Sequence, residues 1–331
     1  MQHPTSTLRL IPYLSLVKKL LRKFFLGIDL PKEYICTSPA GIPGQLRCYA
    51  LIDGETKDVT ELFLFLGYQP LVMAFKANPE QLERMAQQET LTLYFRPESS
   101  TVTVAELLLR PKGAPLKEAG ILLFTGISGR HRFERGFHRF FNRIYQRLKK
   151  EKTGNVHLDH SLYEEVKIAY SIPREICLVT IGANERFNIF PTDLHGRGAN
   201  GTYIISLRHG GKACAQAEEF RQLALWRMPA KSATFVYSLG KNHMREPAKA
   251  KELPLAEKRS PLLHLPAPAG ALSCEELELI GTAGDFGVHR LLLFRTKGEM
   301  LQPVNNKLVH LHRSYVQWHL REGLPFAEAG R

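Results

Sequence analysis

Short runs rich in β-branched and aromatic residues recur along the whole 331-residue chain, each bounded by turn-forming residues. Runs of this kind predict β-strands. The predicted strands are 45–53, 71–77, 90–97, 101–111, 120–127, 165–170, 175–182, 201–210, 233–240, 274–283 and 289–298. Because they do not alternate regularly with helices, we expect a β-rich α+β fold with closed antiparallel sheets, and not a doubly wound parallel sheet.

Two segments, 78–88 and 214–225, predict helices within this pattern. The N-terminal segment 8–30 is apolar, but Pro12 and a basic quartet at 18–23 interrupt it, so we predict no transmembrane segment and no secretory signal. It predicts an amphipathic helix that covers another domain or lies on a membrane surface. A cytoplasmic location follows as the default expectation.

The formal net charge of +13 is concentrated in segment 130–152, where aromatic residues recur at helical spacing among many arginines and lysines. This pattern predicts a helix with one apolar and one basic face. The basic face is either solvated or contacts an anionic cofactor, an acidic protein or RNA. No zinc-finger pattern or aromatic RNA-binding signature accompanies it, so we do not expect nucleic acid as a partner.

The five cysteines are far apart and show neither zinc-ligand nor C-x-x-C spacing. An odd, unpatterned set is typical of small buried hydrophobic residues in a reducing compartment. The cysteines are Cys36, Cys48, Cys177, Cys214 and Cys274.

A polar, turn-rich passage near residue 150 divides the chain into two predicted domains, 1–150 and 155–325. Segments 106–116 and 291–301 share six of eleven positions. A basic, aromatic helix is predicted after the strands of each half. These matches raise the hypothesis of an ancient duplication, in which one chain imitates a homodimer.

Polar clusters follow several predicted strands of the second half, where loops on a rigid scaffold concentrate binding groups. Hydrogen-bond donors are abundant in these clusters, and the carboxylates are few, chiefly Asp193 and Asp285. Donor-rich sites suit a phosphate and a carbonyl-bearing ring, which accept hydrogen bonds. The donors are Asn188, Thr192, Ser206, Arg208, Lys212, Ser238, Lys241, Asn242 and His243.

Three stretches of the second half together resemble the flavin-reductase-like family of FMN-binding split barrels. They are 175–196, 203–225 and 260–294, and the order of their elements is more specific than any one motif. The resemblance covers about 155–325, roughly half of the chain. It implies a six-stranded split β-barrel whose loops hold FMN non-covalently near a subunit interface.

The resemblance also implies roles for individual residues. Asn188 would lie beside the flavin, and Phe190, Thr192, Asp193 and His195 would follow the edge of the isoalloxazine ring. Ser206 and Arg208 would lie near the ribityl chain and phosphate, Lys241, Asn242 and His243 on a further loop, and His289 against the flavin. One departure is that Phe-Pro-Thr-Asp-Leu-His replaces the family's usual Ser/Thr-rich stretch, so the phosphate contacts would differ.

The implied function is an FMN-binding flavoprotein, an NAD(P)H-dependent flavin reductase or related oxidoreductase, with NADH or NADPH as reductant. The alternatives are a non-enzymatic FMN-binding or storage protein, and a basic interaction protein with a ligand-free barrel. The N-terminal domain would be a degenerate copy of the barrel or a cap, and the assembly a homodimer or an intrachain pseudo-dimer. No metal site, hydrolase elbow or Rossmann glycine motif is predicted.

Overall fold

A computed structural model of the chain describes residues 20–21, 23–27, 30, 32–52, 54–98, 100–148, 158–300 and 305–329, without the side chains of 146–148 and 160. Most of the predicted N-terminal helix therefore lies outside the described residues, although 23–26 are helical. Within the described part of the chain, no helix is long and apolar enough to cross a membrane.

The first half of the chain builds one antiparallel sheet of seven strands. Its elements are β1 (Tyr34–Thr37), β2 (Leu46–Ile52), β3 (Glu55–Asp58), β4 (Phe63–Gly67), β5 (Val72–Lys76), α1 (Pro79–Ala86), β6 (Leu91–Pro97), β7 (Ala105–Pro111), β8 (Ile121–His131) and α2 (Gly136–Leu148). The strand order is β3-β2-β6-β7-β8-β5-β4. Buried and less buried residues alternate along β2 and β6, so the period of two in the sequence places one face of the sheet in the core.

The second half builds an antiparallel sheet of eight strands. Its elements are α3 (His160–Ala169), β9 (Arg174–Glu175), β10 (Cys177–Ala183), β11 (Arg186–Thr192), β12 (His195–Arg197), β13 (Thr202–Arg208), α4 (Lys212–Phe220), β14 (Gln222–Arg227), α5 (Ala233–Ser238), β15 (Ala248–Lys249), β16 (Leu255–Arg259), β17 (Pro266–Pro268), β18 (Ser273–Phe286), β19 (His289–Met300), β20 (Val309–His312) and α6 (Arg313–Arg321). The strand order is β12-β13-β19-β18-β14-β10-β11-β15. The β-rich class and antiparallel pairing agree with the sequence prediction. The sequence predicts closed sheets, but neither ladder closes on itself in the described residues; this openness is compatible with a split barrel.

The two sheets share one order of strand pairing. Strands β2 to β8 correspond, in chain order, to β10 to β14 followed by β18 and β19, and a helix follows the fourth strand in both halves. The matched segments 106–116 and 291–301, however, fall on β7 and β19, which hold different places in this order. The sequence match therefore joins strands that do not correspond in the shared order, and duplication stays a prediction.

The halves pack together through corresponding strands. Leu64 and Val72, from β4 and β5, form one buried cluster with Ile204 of β13 and Leu291 of β19. A methyl group on Gly196 of β12 would overlap the Leu64 side chain, so the two strands approach closely at this glycine. Because equivalent surfaces meet, the contact resembles the isologous interface of a two-fold dimer.

A third sheet, in the order β1-β20-β9, joins distant parts of the chain. Tyr34 pairs with His312, and His310 pairs with Arg174. This sheet places the last strand of the chain beside the connection between the halves, next to the candidate site.

Three sequence predictions of local structure are wrong. Residues 165–169 belong to helix α3, whose first turn is capped where the Asp159 side chain accepts from Leu162 N at 2.8 Å. Residues 233–238 form helix α5, and the predicted helix over 214–225 ends at Phe220 and continues as β14.

Other local predictions are confirmed. A helix spans Gly136–Leu148 within the basic segment, and its Phe137 and Phe140 are 52% and 59% exposed. All five cysteines are free and buried, as their spacing predicted.

Candidate functional site

The second half contains an insertion, residues 228–272, between the strands that correspond to β6 and β7. Its turn at Gly240–Met244 is fastened to β11 by side chains. Asn242 Nδ2 donates to Ile189 O at 2.7 Å, and His243 Nε2 donates to Pro191 O at 2.7 Å. The insertion thereby forms one wall of a cavity.

Asn188 and Phe190, predicted to lie beside a flavin, are inside the protein. The Asn188 amide donates to Gln216 Oε1 at 2.8 Å and to Asn242 O at 3.0 Å. Phe190 is fully buried, with its ring 4.8 Å from that of His243. These side chains position the turn that carries His243, and their direct contact with flavin stays a prediction.

We expect Asn188→Ala to lower the free energy of unfolding by about 1–3 kcal/mol, because its buried acceptors lose their donor. Urea denaturation measures this change. Gln222→Ala removes an exposed amide from the same sheet and should leave the unfolding midpoint unchanged within error. An Asn188→Ala protein as stable as this control would show that the turn is held by other contacts.

A chamber of about 210 Å³ lies between β11, the insertion and β20. Its polar lining includes Thr192, Asp193 and His243, which the sequence predicted, and Tyr237 and His310, which it did not. The full lining is Ile176, Pro191, Thr192, Asp193, Val236, Tyr237, Gly240, His243 and His310.

A hydrogen-bonded chain runs through this chamber. Asp193 Oδ2 accepts from the Tyr170 hydroxyl at 2.6 Å and from His310 Nε2 at 2.8 Å. His310 Nδ1 then accepts from the Tyr237 hydroxyl at 2.8 Å. Burial alone would raise the pKa of Asp193, but the hydrogen bond and charge of His310, together with the Tyr170 hydroxyl and His195, outweigh it, and the pKa falls to about 2. Asp193 is therefore a carboxylate that fixes the orientation of the His310 ring.

Ser206, Arg208 and His289 lie together at the contact between the halves. Arg208 is directly opposite His289 in the β13–β19 ladder. Arg208 Nη2 donates to the Tyr68 hydroxyl at 3.1 Å, and the Tyr68 ring meets His289 edge-on at 4.8 Å. The buried Ser206 Oγ and both ring nitrogens of His289 have no hydrogen-bond partner among the described residues.

The surroundings of His289 keep its imidazole neutral. Burial, followed by the charge of Arg208, lowers the pKa of His289 to about 4. Asp193 and His243, which line the chamber, also act on this pKa. The chamber and His289 are therefore close enough to interact electrostatically. Lys241, in contrast, is exposed on the insertion turn.

The remaining predicted residue, His195, lines a second hollow of about 410 Å³ on the other side of Asp193. The Tyr203 hydroxyl lies 2.8 Å from His195 Nδ1, and His195 Nε2 is buried without a partner among the described residues. This hollow is the cleft between the two halves, and Asp193 lines both it and the chamber.

No family model and no curated protein matches the sequence. Solved structures similar to about half of the chain include an FMN-binding protein from Thermus thermophilus, at 18% identity over 46% of this chain and 81% of that one, with a TM-score of 0.35. The NADH:FAD oxidoreductase of Streptomyces globisporus C-1027 is 11% identical over 48% of this chain and 95% of that one, with a TM-score of 0.40. The styrene monooxygenase flavin reductase of Pseudomonas putida S12 is 14% identical over 44% of this chain and 90% of that one, with a TM-score of 0.36. These likenesses are too weak to transfer the activity of those proteins to this chain.

Proposed function

We propose that the chain binds FMN in its second half, at the contact with the first, and acts as an NAD(P)H-dependent flavin reductase or related oxidoreductase. The observation that carries the proposal is the set of orphaned buried polar atoms, Ser206 Oγ and the His289 ring nitrogens, beside the Arg208 guanidinium. Buried polar atoms without partners are rare in folded proteins, so a ligand rich in oxygen and nitrogen would satisfy them.

The residues present fit a flavin nucleotide. Arg208 and Ser206 supply a cation and a hydroxyl, which suit a phosphate and a ribityl chain. The chamber offers an aromatic wall from Tyr237 and a hydroxyl donor from Thr192 for a planar ring that carries carbonyl groups. The flavin, when bound, supplies the hydride-accepting chemistry, and the protein binds and orients it.

The hydrogen-bonded chain of the chamber would hold a proton close to that ring. Tyr237 is 47% exposed, and its hydroxyl is bonded to His310, which Asp193 orients. This arrangement would allow a proton to be exchanged between the chamber and solvent through the Tyr237 hydroxyl. The first half contributes Tyr68, so it completes the site as a second subunit would.

Titration of the full chain with FMN, followed by quenching of flavin fluorescence, tests the proposal. We expect Arg208→Ala to weaken FMN binding about tenfold or more and to change riboflavin binding little, because only FMN carries the phosphate. Arg295→Ala, an exposed arginine of the same sheet, should bind FMN as the wild type does.

A wild-type chain that binds neither FMN nor riboflavin would overturn the proposal. Equal losses of both ligands in Arg208→Ala would place the phosphate elsewhere. Anaerobic addition of NADH or NADPH to the FMN complex then separates the functions, because a reductase bleaches the flavin absorbance and a storage protein does not.

A further inference from the structure

The cleft between the halves is large enough for a small-molecule ligand of its own. Its volume of about 410 Å³ falls within the usual range for such sites. Thr60, Phe63 and Lys76 line it from the first half, and Arg174 and Tyr203 line it from the second. None of these five residues belongs to the FMN site proposed above.

Most of the charge along the cleft is internally matched. Glu175 Oε1 lies 3.1 Å from Arg227 Nε, and Glu175 Oε2 lies 3.0 Å from Lys307 Nζ. Glu275 Oε2 lies 3.1 Å from Arg197 Nη2, which also contacts Glu299 Oε2 at 2.5 Å. Three basic side chains of the lining thus share three carboxylates.

Arg174 and Lys76 are different, because no carboxylate lies within 4.0 Å of either among the residues that the structure describes. Arg174 Nε and Nη2 reach only Ala169 O, at 3.4 Å each, and the guanidinium lies 5.3 Å from the Phe63 ring centroid. Burial lowers the pKa of Arg174 to about 10 and also lowers the pKa of Lys76. The carboxylates that act on them from the same lining, Asp193 on Arg174 and Glu61 on Lys76, lie beyond 4.0 Å. Both desolvated cations therefore lack a direct ion pair, and a bound anion would supply one.

The cleft also offers an uncharged donor and an apolar wall. When the Tyr203 hydroxyl donates to His195 Nδ1, the orphaned His195 Nε2 carries the proton and becomes a donor into the cleft. Phe63 and Pro173 line the same space. Cationic groups and an apolar surface are therefore combined in one hollow.

We propose that this cleft is a second ligand site, which binds a small organic oxyanion: a phosphate or carboxylate carried on an apolar, preferably aromatic, body. The anion contacts Arg174 and Lys76, His195 donates a hydrogen bond, and the body packs against Phe63. The site does not depend on whether FMN binds at Ser206, Arg208 and His289.

Isothermal titration of the full chain at low salt with phenyl phosphate, benzoate and phenol tests this site. We expect the wild type to bind at least one of the two anions and not the neutral phenol, and the tighter anion identifies the preferred headgroup. Lys76→Met should weaken anion binding about tenfold or more, and Arg174→Met at least as much. Lys297→Met, an exposed lysine, should bind as the wild type does.

Arg208→Ala separates this site from the flavin site, because it should leave anion binding in the cleft unchanged. If Arg174→Met does not fold, Lys76→Met alone decides. The proposal is overturned if neither anion binds the wild type, if binding is unchanged in Lys76→Met, or if phenol binds as tightly as the anions.

Discussion

Replacing Lys167 with methionine should lower the free energy of unfolding by about 3–5 kcal/mol at pH 7. Lys167 lies on α3 and is only 2% exposed. Its Nζ lies 2.7 Å from Glu164 Oε1 and 2.8 Å from Glu134 Oε1. The substitution removes one cation and leaves two carboxylates in the interior, and a broken buried ion pair costs far more than a broken surface pair.

The free energy of unfolding of Lys167→Met should also change with pH in the direction opposite to that contributed by Glu134 in the wild type. Burial alone would raise the pKa of Glu134, but the charge and hydrogen bond of Lys167, together with His131, outweigh it and lower this pKa from 4.5 to about 2. The stabilisation is thus fully present above pH 4.5 and is lost as the pH falls towards 2. Without Lys167 the pKa of Glu134 should rise above its ordinary value, so the variant should gain stability as the pH falls from about 7 to 5.

Urea denaturation at about pH 7 and pH 5 measures both the loss of stability and its pH dependence. Lys297→Met is the matched control, because Lys297 Nζ lies 3.1 Å from Glu278 with side chains 43% and 38% exposed, and it should lose at most about 1 kcal/mol. Adding Glu134→Gln and Glu164→Gln to Lys167→Met should restore most of the lost stability. The interpretation fails if Lys167→Met is as stable as the control.

The sequence predicted nine of the twenty strands in the described residues, because a half-buried strand leaves a local signal. The period of two along β2 and β6 is visible in Leu46–Ile52 and Leu91–Pro97. Strand β4, Phe63–Gly67, was missed, since its five residues are all buried and a short apolar run has no periodicity.

The helix boundaries that were predicted wrongly depend on tertiary packing and backbone conformation, which local sequence patterns do not reveal. Helix α5 was predicted as a strand from its β-branched and aromatic residues, but Val236 packs into a buried cluster with Trp226. Such tertiary packing overrides a weak β-propensity. Helix α4 stops at Arg221, which takes a left-handed φ of 58°, a position where glycine would have signalled the end.

The candidate site divides in the same way. Thr192, Asp193 and His243 follow strands or turns of the second half and could be predicted from local composition. His310 and Arg174 reach the site through pairing in the β1-β20-β9 sheet, whose strands are far apart in sequence. Non-local pairing of this kind leaves no local pattern, so these residues could not be found from the sequence.

The insertion at 228–272 distinguishes the second half from the first, although the two halves share one strand order. The corresponding strands of both halves face each other, yet the turn that carries His243 belongs to an insertion present only in the second half. The first half instead supplies Tyr68 to the proposed flavin site and Lys76 to the cleft. The two halves therefore share one order of strand pairing but supply different residues to the two proposed sites.

Glu165 is a buried carboxylate on the face of α3 that packs on β8. It is 4% exposed and has no ion pair among the described residues. A methyl group on Gly126 would overlap its carboxylate, and one on Gly129 would lie 3.0 Å from its Cα, so two glycines let the helix approach the strand. Burial, and secondarily Asp159, raises the pKa of Glu165 to about 7.

Glu165→Gln should therefore stabilise the protein by up to about 3 kcal/mol at pH 8 and by almost nothing near pH 4.5. A raised carboxyl pKa carries no penalty below its ordinary value of 4.5, but the folded state loses stability as the pH rises from there through about 7. Glutamine keeps the shape of the protonated acid and cannot ionise, so the penalty disappears. Denaturation midpoints across this range measure the effect, with the exposed Glu219→Gln as control, expected to stay within about 0.5 kcal/mol at every pH. A Glu165→Gln protein whose stability gain is the same at pH 8 and pH 4.5, or is absent at both, would show that Glu165 is charged and solvated in the native state.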